Sequence, residues 1–174
     1  EQPWTEDEAF QISGSKFFTA ASLQDQTEKH VSTKWDGYTF IASEKFIDMK
    51  VFPAEPYRHP ELKVWEPPDP NSVYVIGCDP AYGSNDRNDR SSIQVGRCYA
   101  DGIDQVAEYA SPMINTQQLA WVLASLLGWY GAGRSEARYI LELNGPGEAV
   151  FTELRSLRHQ IENNMGGQYS DTGL

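Results

Sequence analysis

The sequence predicts an α/β domain built on a mixed sheet, and three observations carry that expectation. Two short apolar runs, Val73-Tyr74-Val75-Ile76-Gly77-Cys78 and Tyr139-Ile140-Leu141, each stop abruptly on an acidic residue, Asp79 and Glu142. Near-continuous apolar runs of this length read as buried central strands, usually parallel neighbours covered on both faces. Between them, Leu119, Val122, Leu123, Leu126, Leu127 and Tyr130 recur at a helical period. Strands and helices then follow in the order strand, strand, strand, helix, strand, helix. A three-stranded meander followed by a helical crossover places the fourth strand parallel to the first, on the side away from the second.

The elements follow in chain order. Thr5-Glu6-Asp7-Glu8 has capping-box spacing and predicts a short helix to about Gln11. Residues 15–36 read as irregular and polar. Tyr38–Ala42, Ile47–Phe52 and Leu62–Trp65 are expected to be short strands, separated by proline-bearing connections, with Pro53–Pro60 an ordered surface loop. After Pro67-Pro68-Asp69-Pro70-Asn71 the pattern sharpens. Strands are predicted at Val73–Asp79, Ser92–Tyr99 and Gln105–Ala110, the last two joined by a turn at Asp101-Gly102. A helix from Thr116 to Tyr130 has Asn115 as its cap. Arg138–Leu143 is the fourth strand. Gly145-Pro146-Gly147-Glu148 opens a second helix with a stripe of Val150, Leu154, Leu157 and Ile161, and the tail Asn163–Leu174 reads as a polar, Gly-rich loop.

Composition divides the chain at the proline joint. Up to residue 72 every basic side chain except Arg58 is Lys, and from residue 73 every one is Arg. The expected division is a linker and short-strand segment, 1–72, followed by a domain at 73–174. The first segment is expected to rest on the sheet through Phe17, Phe18, Phe40, Phe46 and Trp65, because its strands are too short and few to hide these aromatics alone. Apolar residues make up 40% of the chain, enough for a real core. No apolar run approaches a membrane span, and Glu1-Gln2-Pro3-Trp4 is unlike a signal peptide. Cys78 and Cys98 are expected as buried strand thiols, which neighbouring strands could bring close.

The net charge of −11 excludes a general nucleic-acid coat, which would be basic. It does not exclude a metal nuclease, whose centre must itself be acidic. A carboxylate at the end of an apolar strand is costly unless solvated, paired or holding a cation. Two of them at one sheet edge suggest a site for hard metal ions. The plainer readings stand beside this one. Asp79 fits an Asp-Pro turn, Glu142 fits a structural ion pair with an arginine, and Asp89 fits an ordinary turn. Arg87 and Arg90 fit solvated loop charges as well as phosphate contacts. The three histidines are dispersed, without zinc spacing, and GxSxG, GxGxxG and GxxxxGK[ST] are all missing.

Tyr74-Val75-Ile76-Gly77-Cys78-Asp79-Pro80-Ala81-Tyr82-Gly83 followed by Asp89-Arg90-Ser91-Ser92-Ile93-Gln94-Val95 resembles the first nuclease motif of viral large terminase subunits. These are the DNA-packaging motors of tailed bacteriophages and herpesviruses. Ile140-Leu141-Glu142-Leu143-Asn144-Gly145-Pro146-Gly147 is similar to that family's second motif, and Thr5–Phe18 resembles the segment that follows its ATPase domain. The resemblance implies a ribonuclease H-like fold and a metal-dependent endonuclease that cuts concatemeric double-stranded DNA in the host cytoplasm, at the procapsid. It implies two divalent cations, Mg²⁺ or Mn²⁺, with Asp79 bridging both, Glu142 binding one and Asp89 an additional ligand. Asp86 is a substitute in the same loop, and Arg87 and Arg90 would meet DNA. Portal protein, small terminase subunit and an ATPase domain upstream of Glu1 are the implied partners, with no membrane. The family's third acidic residue, an aspartate on a later helix, is not present in this chain, and Asp171 is not assigned that role. Either that part of the domain lies beyond Leu174 in a longer protein, or the site is incomplete and this chain alone inactive. Two alternatives remain open: a non-catalytic docking module of the same fold, and another ribonuclease H-like nuclease of resolvase or integrase type. The second would need a basic DNA-binding surface that this composition does not supply.

Overall fold

A computed structural model describes residues 19–30, 34–41, 50–53, 60–82 and 89–170. The chain divides into two compact units, Glu1–Lys34 and Trp35–Leu174. In the first, residues expected to be irregular form a helix, α1 (Ala20–His30). Its described side chains are exposed, so no apolar stripe announces it. Local pairs stabilise it instead. The Thr19 hydroxyl accepts from the Ser22 amide at 3.1 Å, Gln24 donates to Glu28 at 2.9 Å, and Lys29 pairs with Asp25 at 2.8 Å. The helix expected from Thr5 lies outside the described residues, as do Phe17, Phe18 and Phe46.

The second unit is α/β. Its strands are β1 (Asp36–Ile41), β2 (Lys50–Pro53), β3 (Leu62–Val64), β4 (Val73–Asp79), β5 (Ser91–Cys98), β6 (Ile103–Ser111) and β7 (Glu136–Leu141). Among the described residues they form one sheet in the order β2-β1-β3-β6-β5-β4-β7. The β4-β5-β6 meander is antiparallel, and β7 pairs with β4 in parallel on the side away from β5, as the crossover argument expects. β3 pairs with β6, so the strands before the proline joint continue the sheet of those after it. Residues 54–59, within the loop expected at Pro53–Pro60, lie outside the described residues.

One face of this sheet carries the core. Tyr74, Ile76 and Cys78 of β4, Ile93 and Val95 of β5, and Tyr109 of β6 are buried on it. Phe40 of β1 meets Tyr109 edge-on, with centroids 5.8 Å apart, and Tyr38 packs on Trp129 at 5.3 Å. The covering helices are α2 (Thr116–Tyr130) and α3 (Gly147–Ser170), which touch each other; α2 also packs on β4 and β7. Asn115 caps α2 in a full capping box with Gln118, and Leu119, Val122, Leu123, Leu126 and Tyr130 are buried along one stripe. From α3, Val150 and Leu157 are buried and Leu154 partly so, while Ile161 is 39% exposed.

Three expectations need correction. Tyr139–Leu141 is not a buried central strand: among the described residues β7 is the sheet's edge, with Ile140 67% exposed. An apolar run looks the same whether both faces are covered or one is left open. The tail is not a loop from Asn163, because α3 continues to Ser170. Extending an established helix by a residue costs little, and Gly166-Gly167 are not enough to stop it. Cys78 and Cys98 stand at opposite ends of the β4/β5 ladder, opposite Ile93 and Val73, so the strands keep them apart.

The proline joint is pinned rather than loose. Arg97 of β5 holds Asp69 at 2.8 Å and Glu66 at 3.3 Å, the Asp69 amide donates to the Tyr74 hydroxyl, and Tyr130 donates to the Glu66 carbonyl.

Candidate metal centre

The parallel β4/β7 ladder builds the site. Cys78 is paired with Leu141, and the Glu142 amide extends the ladder by donating to the Cys78 carbonyl at 3.0 Å. Asp79 and Glu142 therefore leave adjacent strand ends at the same rim. Both are exposed, and the charge of Glu142 bears on Asp79.

The chain after each acid is shaped to hold it there. Beyond Asp79, Pro80 is buried, and the buried Ser91 hydroxyl accepts from the Ala81 amide at 3.0 Å. This clamps the departing loop to the first residue of β5. Beyond Glu142, the Asn144 amide donates to one Glu142 oxygen at 3.0 Å, and Gly145 takes a positive φ of 53°. That glycine also lets the chain pass the Tyr82 ring, which a side chain would meet at 3.3 Å. Gly147 is more constrained, since a Cβ there would stand 1.8 Å from the Glu142 carbonyl oxygen. The start of α3 is thus seated directly on the backbone that presents Glu142. Pro146 precedes the first helical residue, and its carbonyl accepts from the amides of Ala149 and Val150.

A cleft of about 690 Å³ opens over this rim, lined by Asp79, Tyr82, Asp89, Arg90, Glu142 and Asn144 among others. Its electrostatics are those of crowded carboxylates. Desolvation lifts the Asp79 pKa above its ordinary value, and the negative charge of Glu142, a hydrogen bond with it and the charge of Asp89 lift it further. The neighbouring Cys78 thiol is pushed up to about 12, mainly by burial and then by Asp79.

Of the residues expected at the site, Asp79, Glu142, Asp89 and Arg90 share this cleft, whereas Asp86 and Arg87 lie outside the described residues. Among the described residues Glu142 forms no ion pair with an arginine, and the Asn144 side-chain amide donates to it at 3.0 Å. No group of three or more His, Cys, Asp or Glu among the described residues is drawn together closely enough to hold a metal. Two convergent carboxylates with a third acid nearby are a donor set of hard oxygens open to water, which suits a cation such as Mg²⁺ or Mn²⁺. Sequence reasoning missed Ser91, Tyr82 and the seating of Gly147. A serine opening a strand and a glycine opening a helix are common for ordinary reasons and carry no signal of their own.

Among the described residues no helix is long and apolar enough to cross a membrane. In comparisons with known proteins the chain matches no family model and no curated sequence, so the functional reading rests on the residues of this rim and the order of its motifs.

Proposed function

We propose that this chain is the nuclease part of a viral large terminase subunit, with a ribonuclease H-like fold, and that it cuts concatemeric double-stranded DNA by metal-dependent phosphodiester hydrolysis. The observation that carries the proposal is the register of β4 and β7, which brings two carboxylates from sequence-distant motifs to one solvent-open rim. Like charges left facing each other cost free energy, and a bound cation removes that cost.

Asp79 and Glu142 would hold the divalent cations, with Asp89 as a further oxygen donor. When bound, two such ions supply an activated water and a stabilised leaving oxygen. The remaining roles fall to side chains around the cleft. Asn144 holds one Glu142 oxygen at 3.0 Å and so orients the carboxylate. Ser91 keeps the loop after Asp79 from swinging. Arg90, exposed in the same cleft, offers a cation to a DNA phosphate. With a net charge of −11, grip on the duplex falls to partners: the portal protein, the small subunit and the ATPase domain.

Supercoiled plasmid incubated with the full-length gene product and Mn²⁺ or Mg²⁺ tests this. Wild type should nick and linearise it. Asp79→Asn should abolish cutting, Glu142→Gln should be severe, and Asp89→Asn should be milder. Titration calorimetry with Mn²⁺ runs alongside. Cutting by the Asp79→Asn protein at the wild-type rate, or no Mn²⁺ binding by the wild type, sinks the proposal and leaves the docking-module reading.

A further inference from the structure

A second cavity, of about 230 Å³, opens on the helix-covered side of the sheet, between the β1/β3/β6 strands and the first turns of α2. Buried Tyr109, Ile114 and Val122 form its floor, half-buried Phe40 and Trp121 its walls, and Glu61 its charged mouth. We propose that this cavity receives the arginine side chain of a partner protein, its guanidinium against the aromatic walls and on the Glu61 carboxylate.

The lining supports that occupant in three ways. The first is charge. Glu61 accepts from Ser111 Oγ at 2.9 Å and from the Tyr109 hydroxyl at 3.4 Å, both neutral donors, and it forms no ion pair among the described residues. Its charge reaches the cavity floor, adding to the burial that raises the Tyr109 pKa. The second is shape and chemistry. Among the described residues, three aromatic side chains and no basic group line the pocket, and a flat, weakly hydrated guanidinium stacks on such rings better than an ammonium does. The Trp121 indole N–H already donates to Glu153 at 2.9 Å, which fixes that wall. The third is size. The volume falls below the ~300 Å³ of sites for drug-sized ligands and suits a single side chain. With no cation among the described lining residues, the α-carboxylate of a free amino acid would go unpaired there.

The probe is N-acetyl-arginine amide, titrated into the full chain and followed by the Trp121 indole and Ser111 amide resonances in ¹H–¹⁵N spectra. Saturable shifts at both positions are expected. N-acetyl-citrulline amide, the same shape without charge, should bind at least tenfold more weakly, and so should the arginine probe to Glu61→Gln. Equal binding of citrulline, or unchanged affinity in a folded Glu61→Gln, overturns the proposal. Free arginine binding tenfold tighter than the capped form also overturns it, in favour of a small-molecule site. Should Glu61→Gln fail to fold, the citrulline comparison on the wild type decides. None of these outcomes depends on plasmid cutting, so this proposal and the nuclease reading can fail separately.

Discussion

At the scale of single residues the rim is a compromise between stability and charge. The Asp79 carboxyl titrates above its ordinary value of 3.8, so the folded chain binds its proton more tightly than the unfolded chain does. Stability from this group is therefore greatest at low pH and is lost as pH rises through the raised value. Asp79→Asn should accordingly melt slightly higher than wild type at pH 7 in EDTA, by about 1 °C given the solvent exposure of the pair. The gain should vanish as pH approaches 3.8. Added Mn²⁺ should reverse the ranking by stabilising only the wild type. A scan showing Asp79→Asn less stable without metal would contradict the crowded-carboxylate account. Gly147 makes the opposite kind of demand. Gly147→Ala drives a Cβ into the Glu142 carbonyl and should cost about 1–3 kcal/mol while displacing Glu142. Gly77→Ala, with nothing within 4 Å of its Cβ, is the control and should keep Mn²⁺ affinity near wild type.

At the scale of elements, the two ends of the sheet's apolar pattern behave differently. β4 lies between β5 and β7, and its inward residues are sealed by helices, whereas β7 has a neighbour on one side among the described residues. Ile140→Lys should then change unfolding free energy by no more than about 0.5 kcal/mol, as an exposed site does. A loss above ~2 kcal/mol in urea melts would mean that this face is covered. The cap of α2 is a separate contribution. Asn115→Ala removes the half of the capping box that its side chain makes, the bond accepted from the Gln118 amide, and should cost about 1 kcal/mol, read in the same melts. α1 shows the converse case, a helix held by surface pairs of a few tenths of a kcal/mol each, and high salt should reduce the Lys29–Asp25 contribution first.

At the scale of the whole molecule, β1 and β3 matter because the aromatics of β1 and the buried Leu62 and Val64 of β3 close the core. Tyr38 and Phe40 pack against Trp129 and Tyr109, and β3 is hydrogen-bonded on one side to β1 and on the other to β6. Deleting residues 35–60 should bare Leu62, Tyr109 and Trp129 together. The truncated chain is expected to aggregate, or to melt at least 10 °C lower, in a calorimetric scan. A soluble remainder with an unchanged transition would show that the strands before the proline joint are dispensable to the core.

The sequence by itself determined β4, α2 and the acidic ends of the two apolar runs, because each rests on a local pattern: a period, a cap, a chain stop. It also predicted the parallel pairing of β4 with β7, since few topologies join a meander to a strand through one helix. The site could be inferred to the extent that Asp79 and Glu142 follow from that pairing. Only the tertiary structure decided which face of each strand is covered, that β7 is an edge, and that the early short strands extend the same sheet. Those are properties of neighbours distant in sequence, which a run of apolar letters does not encode. The same holds for the Ser91 clamp, the seating of Gly147 and the cavity at Glu61, which come into being when separate elements meet. Helices without an apolar stripe, such as α1 and the end of α3, stayed hidden because the period that reveals a helix comes from burial.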